Sequence, residues 1–336
     1  MLRTILVPLD GSRRAETALP LAARLARNTG GTLVLVRVVS LTTEYWPAIT
    51  APYPTMAQTA VDANLADASS YLNDVASAAM LAGVKTTTVA QFGPTASTLL
   101  AVATTYNVDL IVMCSHGYTG MVNWIMGSVA EKIARHASVP VLVLREGATL
   151  LGDDRTQPLR VLVPLDGSIH AKAALEPAAD LLYALAAPGQ EKVVHLTRVV
   201  KPSTEGNRDV EHLLHSASDV SKAKRYMGQT AQQIQEGYVA PAIAERDIRV
   251  SWSVALDNDI AGALIHTAEN REAGTSGGCE VIAISTHGRG GLQRWTLGSI
   301  TERVLHATKL PILVVRPMDM TAKKEPFLEK VSHALR

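Results

Sequence analysis

Short continuous apolar runs alternate along this chain with longer stretches in which apolar side chains return every three or four positions. That alternation reads as buried strands separated by amphipathic helices. In the first half, residues 4–8 predict a strand, 15–28 a helix, and the β-branched run 32–39 a second strand. Residues 41–55 carry Pro47, Pro52 and Pro54 among Tyr45, Trp46 and Tyr53, which predicts a loop. A helix over 57–82 is ended by Gly83. A strand at 85–91, a helix at 95–106, a strand at 109–113, a glycine-bearing loop leading into a helix, and a strand at 141–144 complete the unit.

The same succession then returns. Ile5-Leu-Val-Pro-Leu-Asp-Gly-Ser12 recurs as Val161-Leu-Val-Pro-Leu-Asp-Gly-Ser168, an offset of 156 set by Asp10 and Asp166. Pro140-Val-Leu-Val-Leu-Arg145 returns as Pro311-Ile-Leu-Val-Val-Arg316 at an offset of 171. The 15-residue difference falls in a long or broken helix over 207–245 and an insert at 274–278. Self-similarity of this kind means two copies of one domain, joined near 147–158. Alternating strands and helices imply in each copy a parallel sheet with helices on both faces. Right-handed crossovers and the common order 3-2-1-4-5 place strands one and four side by side, where ligands bind beyond the strands' carboxyl ends. The two polar, glycine-bearing loops, after strand one (Asp10-Gly-Ser) and strand four (Ser115-His-Gly), both belong at that crevice.

Composition narrows the picture. A length of 336 residues supports two domains, each with its own core. Apolar residues at 47% and charged ones at 19% are ordinary for a globular protein. A net charge of +1 gives no drive toward nucleic acid or an anionic membrane. The 2 cysteines stand at non-equivalent repeat positions, which excludes a disulfide framework and suits a reducing cytoplasm. The N-terminal residues turn to Pro-Leu-Asp-Gly too soon for a signal peptide, and no apolar run approaches the ~20 residues of a membrane span. A cytoplasmic protein is expected.

The candidate chemistry lies at the two loop-to-helix junctions. In both copies nine residues separate a loop glycine (Gly117, Gly288) from a Gly-Ser pair heading a helix (Gly127-Ser128, Gly298-Ser299). Unpaired N–H groups and the positive end of the helix dipole make such a junction an anion site. Asp10 and Asp166 would be repelled by phosphate but could accept from an amino group or hydroxyl, which suggests a nucleotide, more readily ATP than GTP. The lesser alternative is that they bond only the following turn, just as Ser128 and Ser299 could be simple N-caps worth about 1 kcal/mol each. No Gly-x-x-x-x-Gly-Lys-Ser/Thr occurs, which excludes a P-loop ATPase.

At these residues the sequence resembles the universal stress protein family in its tandem-domain form, whose ATP signature reads Gly-x-x-Gly, nine residues, Gly-Ser/Thr. The resemblance spans residues 1–316. It implies two tandem Rossmann-like domains of the adenine nucleotide alpha hydrolase type, at 1–147 and 158–317, each a five-stranded parallel sheet of order 3-2-1-4-5, with a helical tail at 318–336. By position, Asp10 and Asp166 would accept from the adenine amino group, and the backbone of Val38 and Val199 would complete recognition of the base. Pro8 and Pro164 would line the ribose. Gly117, Gly127, Ser128 and Val129, with Gly288, Gly298, Ser299 and Ile300, would hold the phosphates of ATP, ADP or AMP, with Mg carried by the phosphates rather than by protein ligands. Both copies depart from the signature at its first glycine, which is Cys114 in one and Ser285 in the other. A Cβ there is expected to crowd the ribose side and weaken binding.

The implied role is a nucleotide-dependent regulatory or stress-response protein with an unnamed protein partner and slow hydrolysis at most, since no general base or γ-phosphate arginine is positioned. The alternative is a tandem scaffold for protein interactions that binds no nucleotide. The last strands would meet across a pseudo-twofold axis as a dimer within one chain, with room for a homodimer beyond it. His116 and His287 are expected to shape the loops or lie beside the phosphates rather than catalyse. His212 and His215 sit on a solvated helix face rather than forming half a metal site. Cys114 is a small filler rather than a redox thiol. Tyr45, Trp46 and Tyr53 serve equally as an adenine lid or as packing. Phe327, Leu328, Val331 and Leu335 share one face of a docking tail helix.

Overall fold

The computed structural model describes residues 2–40, 54–115, 126–145, 157–202, 209–270, 278–287 and 297–317, the side chains of 54–57 and 209–214 excepted. The expectations for the loop at 41–53, for His116, Gly117, Gly288 and the side chain of His212, and for the tail helix lie outside the described residues.

The first half runs β1 (Thr4–Pro8), α1 (Arg13–Glu16), α2 (Leu19–Thr29), β2 (Thr32–Val39), α3 (Pro54–Ala76), a 3-10 turn (Ala79–Leu81), β3 (Lys85–Phe92), α4 (Thr95–Thr105), β4 (Leu110–Cys114), α5 (Ser128–His136) and β5 (Val141–Leu144). The second repeats it as β6 (Leu159–Pro164), α6 (Ile169–Lys172), α7 (Leu175–Leu185), β7 (Lys192–Val200), α8 (Asp209–Gln235), α9 (Pro241–Glu245), β8 (Arg249–Leu256), α10 (Ile260–Glu269), β9 (Val281–Ser285), α11 (Ser299–Ala307) and β10 (Ile312–Val315).

Three predicted helices differ in their limits. The helix expected at 15–28 is broken into α1 and α2, because Pro20 has no N–H to continue the ladder and sits instead in the first turn of a new helix. The helix expected at 57–82 begins three residues earlier, with Pro54 as its first residue, and its end separates as the 3-10 turn. The stretch 207–245 is two helices, parted where Gly237 and Ala240 take positive φ (78° and 50°) before Pro241 restarts the helix.

Each half has the order 3-2-1-4-5, and the halves join into one ten-stranded sheet, β3-β2-β1-β4-β5-β10-β9-β6-β7-β8. All neighbours are parallel except at the seam, where β10 pairs antiparallel with β5 through Ile312–Val143, Leu313–Leu142 and Val314–Val141. Successive strand residues face opposite ways. Ile5 and Val7 therefore enter one core with Leu19, Leu25, Leu72, Leu175 and Met227. Leu6 enters the other, with Leu99, Ile133, Leu264 and Val304. Both cores run through both halves. Helix α2 also reaches the second half directly, as Arg24 Nη2 donates to the Leu185 carbonyl at 2.7 Å and Asn28 Nδ2 to the Ala184 carbonyl at 2.8 Å.

The central pairings are short. β1 meets β4 only through Ile5–Leu110 and Leu6–Ile111, and β6 meets β9 only through Val161–Val281 and Leu162–Ile282. Beyond those pairs the two strands are no longer paired, and it is there, where the strand order reverses, that a crevice belongs in each half.

Candidate functional site

One wall of each crevice is the turn after the first strand. Gly11 and Gly167 take φ of 86° and 91°, a left-handed conformation that glycine reaches without Cβ strain. This bends the chain so that Asp10 Oδ1 accepts from the Ser12 N–H at 2.9 Å and Asp166 Oδ1 from the Ser168 N–H at 2.8 Å. The turn-bonding reading of these aspartates is therefore real, and it occupies one carboxylate oxygen of each. Ser12 and Ser168 in turn cap α1 and α6, accepting from Ala15 and Ala171 N–H at 3.2 Å each.

The facing wall is a helix N-terminus. Gly127 and Gly298, not the serines, are the N-caps of α5 and α11, with no side-chain cap bond. Ser128 and Ser299 are the first helical residues and are exposed, so the N-cap reading of the serines does not hold. Each glycine N–H closes its own loop, donating to the Ser115 carbonyl at 2.8 Å or the Thr286 carbonyl at 2.9 Å. The next N–H groups, of Ser128 and Val129 and of Ser299 and Ile300, have no acceptor within their helices and face the crevice end of the dipole.

In the second half these parts enclose a cavity of about 890 Å³. Pro164, Asp166, Val199, Ser285, Gly298, Ser299 and Ile300 all line it. The corresponding first-half positions occupy the same elements: Pro8 ends β1, Val38 lies in β2, Cys114 ends β4, and Gly127, Ser128 and Val129 open α5. The two residues that replace the signature's first glycine are absorbed differently. Cys114 Sγ lies 2.8 Å from Thr17 Oγ1. Ser285 Oγ turns into its own loop and donates to the His287 carbonyl at 3.0 Å. His287 Nδ1 lies 2.9 Å from Thr286 Oγ1, and His287 lines the cavity. Among the described residues no group of three or more His, Cys, Asp or Glu is arranged to hold a metal ion. Nor is any described helix long and apolar enough to cross a membrane.

A model of the universal stress protein family matches residues 1–145 and again residues 159–316. The chain belongs to the universal stress protein family. A universal stress protein of Mycobacterium tuberculosis (strain H37Rv) is 27% identical over 317 residues, covering 93% of this chain and 96% of its own. One from Mycolicibacterium smegmatis is 24% identical over 324 residues, covering 93% and 97%. Among solved structures, the universal stress protein from Archaeoglobus fulgidus superimposes with a TM-score of 0.55 at 19% identity, covering 94% of this chain and 97% of its own. That likeness speaks for the fold.

In this tandem universal stress protein the crevices carry one device that sequence reading missed. Arg37 of β2 lies over the ring of Tyr71 of α3, 4.9 Å from its centroid, and Arg198 of β7 lies over Tyr226 of α8 at 5.0 Å. Both arginines directly precede the valines expected to recognise the base, so the repeated Arg-Val-Val is the signal that could have found them. Tyr71 also donates to Glu16 Oε1 at 2.8 Å. Burial, and then that bond, push its phenol above the ordinary tyrosine range.

Proposed function

We propose that this universal stress protein binds an adenine nucleotide, ATP in the first instance, in the crevice of each half, and acts as a nucleotide-dependent regulator in the cytoplasm with little or no turnover. The observation that carries this reading is the second-half cavity, bounded by the Asp166 turn on one side and the Gly298–Ser299 helix start on the other. A polyphosphate suits the main-chain N–H groups of Ser299 and Ile300, and an amine-bearing base suits Asp166 and the edge of Val199. The same roles fall to Ser128, Val129, Asp10 and Val38 in the first half, with Pro8 and Pro164 against the ribose. Mg would arrive on the phosphates. The bound units are the segments 1–147 and 158–317.

Titration calorimetry of the full chain with Mg-ATP, ADP and AMP tests this. Heat fitting two sites per chain is expected. Absence of heat at tens of micromolar protein would favour the alternative, a tandem scaffold for protein partners. A phosphate-release assay alongside is expected to show slow hydrolysis at most.

A further inference from the structure

Among the described residues one buried cation makes no hydrogen bond or ion pair. Arg145 follows the last residue of β5 and is 6% exposed, and no acceptor reaches its Nε or Nη2. A charge shut away from water without a partner is costly, so an orphan of this kind calls for an explanation. The acidic residue in the first turn of α5, Glu131, is paired with Arg135 instead. Burial lowers the Arg145 pKa from the ordinary arginine value.

The ladder fixes where this arginine stands. Val141 and Val143 enter the core that holds Ile133 of α5, while Leu142 and Leu144 enter the other, so alternation sends Arg145 to the α5 face of the sheet. Cys114 pairs with Leu144, and the Ser115 N–H donates to the Leu144 carbonyl at 2.9 Å. In a longer β5 the Ser115 carbonyl would next accept the N–H one residue past Arg145. It accepts the Gly127 N–H instead, at 2.8 Å. The start of α5 therefore stands where β5 would have continued, alongside Arg145. The N–H groups of Ser128, Val129 and Ala130 precede the first bond within that helix, from Glu131 to Gly127 at 2.9 Å, and carry the positive end of its dipole. In the second half Arg316 holds the equivalent place, since the Thr286 N–H donates to the Val315 carbonyl and the Gly298 N–H to the Thr286 carbonyl. Arg316 Nη1, however, donates across the seam to the His136 carbonyl at 3.5 Å, and Arg316 is not among the residues lining the second cavity.

We propose that Arg145 is the terminal-phosphate residue of the first crevice and sets its preference for a nucleoside polyphosphate. A phosphate chain laid along the start of α5 ends against the guanidinium, which offers its last oxygens a two-pronged, charge-assisted contact that main-chain N–H groups do not supply. A nucleoside monophosphate has no second phosphoryl group to place there. The second crevice, whose arginine is engaged at the seam, separates ATP from AMP less. This rests on the nucleotide reading of the crevices.

Three variants of the full chain test this. Arg145→Met removes the charge at similar length, Arg145→Lys keeps the charge without the fork, and Arg316→Met is the control in the other half. Each is titrated by calorimetry with Mg-ATP, AMP and inorganic tripolyphosphate, and each is unfolded in urea without ligand. In the wild type one site per chain is expected to hold ATP at least about tenfold more tightly than AMP. R145M is expected to erase that preference, R145K to keep part of it, and R316M to leave it whole. Without ligand, R145M is expected to unfold at a higher urea concentration than the wild type, because an apolar side chain relieves the cost of a buried, unpartnered charge. A purely structural arginine gives the opposite pair of results, a lower midpoint and an unchanged preference for ATP, and that outcome overturns the proposal while leaving nucleotide binding intact. So does an ATP preference that stays at the wild-type level in both Arg145 variants. Tripolyphosphate that binds the wild type but not R145M, with no nucleotide bound by either, upholds the phosphate contact and overturns the nucleotide reading. Silence from all three probes overturns both.

Discussion

Gly298 adopts φ −61° and ψ 141°, a backbone open to any residue. What keeps a side chain out is the Thr286 carbonyl, 3.2 Å from where a Cβ would stand. Gly298→Val would therefore push the start of α11 off its loop. We expect nucleotide affinity at the second crevice to fall tenfold or more in calorimetry, with the far-UV spectrum unchanged. Wild-type affinity in that variant would remove the helix start from the site. Asp166 offers a finer separation. Its Oδ1 holds the turn through Ser168, and asparagine keeps that acceptor while turning the other oxygen into a donor. Asp166→Asn is expected to leave stability within about 0.5 kcal/mol of the wild type yet weaken ATP binding about tenfold, the size expected for one mispaired polar contact. If affinity is unmoved, the aspartate is a turn residue and nothing more. The aspartates, glycines and serines were legible in the sequence because each occurs twice at matched spacing. Tyr71 and Tyr226 were not: each is the one tyrosine of its long helix, but nothing in the helix pattern marks it as the partner of an arginine from a strand. Only packing brings the two together.

At the scale of elements, strand positions followed from the apolar runs and strand order from right-handed crossovers in the common doubly wound arrangement, whereas helix limits were set by single backbone groups such as the missing N–H of Pro20. Nor does apolar patterning anticipate a histidine inside a sheet. His195 of β7 is buried, with Nδ1 2.9 Å from Ser251 Oγ and Nε2 2.9 Å from Ser253 Oγ of β8. Burial, with Arg160 adding a like charge, lowers its pKa to about 4. The unfolded chain has the ordinary value near 6.5, so between those values it binds more protons than the folded one. The stability that neutral His195 contributes is complete above about pH 6.5 and is lost as pH falls toward 4, up to about 3 kcal/mol in all. Urea unfolding at pH 7, 5.5 and 4.5 should show this loss. His195→Val, the residue type found at the paired position Val34 in the first half, should flatten it. Equal pH slopes for the two proteins would exclude His195 as their source.

For the whole molecule, the seam decides whether the two crevices belong to one body. The family resemblance implied that the terminal strands would meet, and they do. That both cores would run unbroken from half to half depends on side chains from each copy filling the same layer, which no single repeat reveals. Three residue pairs join β5 to β10, yet Leu142 and Leu313 lie in the same core as Leu19 of α2 and Leu175 of α7. A ligand that binds only the folded form stabilises whatever unfolds together with its site. With a common core, nucleotide in one crevice stabilises the other half as well. Leu313→Ala tests the common core itself. The side chain is 1% exposed, and its truncation should cost about 2–5 kcal/mol through lost burial and the cavity left behind. Hydrogen exchange on the full chain then reads where that cost appears. One cooperative body requires the slowest amides of β1 and β6 to lose protection by the same amount, although β1 lies beyond the seam from the substitution. Loss confined to β6, β9 and β10 would mean two separately stable halves touching at an edge, and a ligand in one would then leave the stability of the other unchanged.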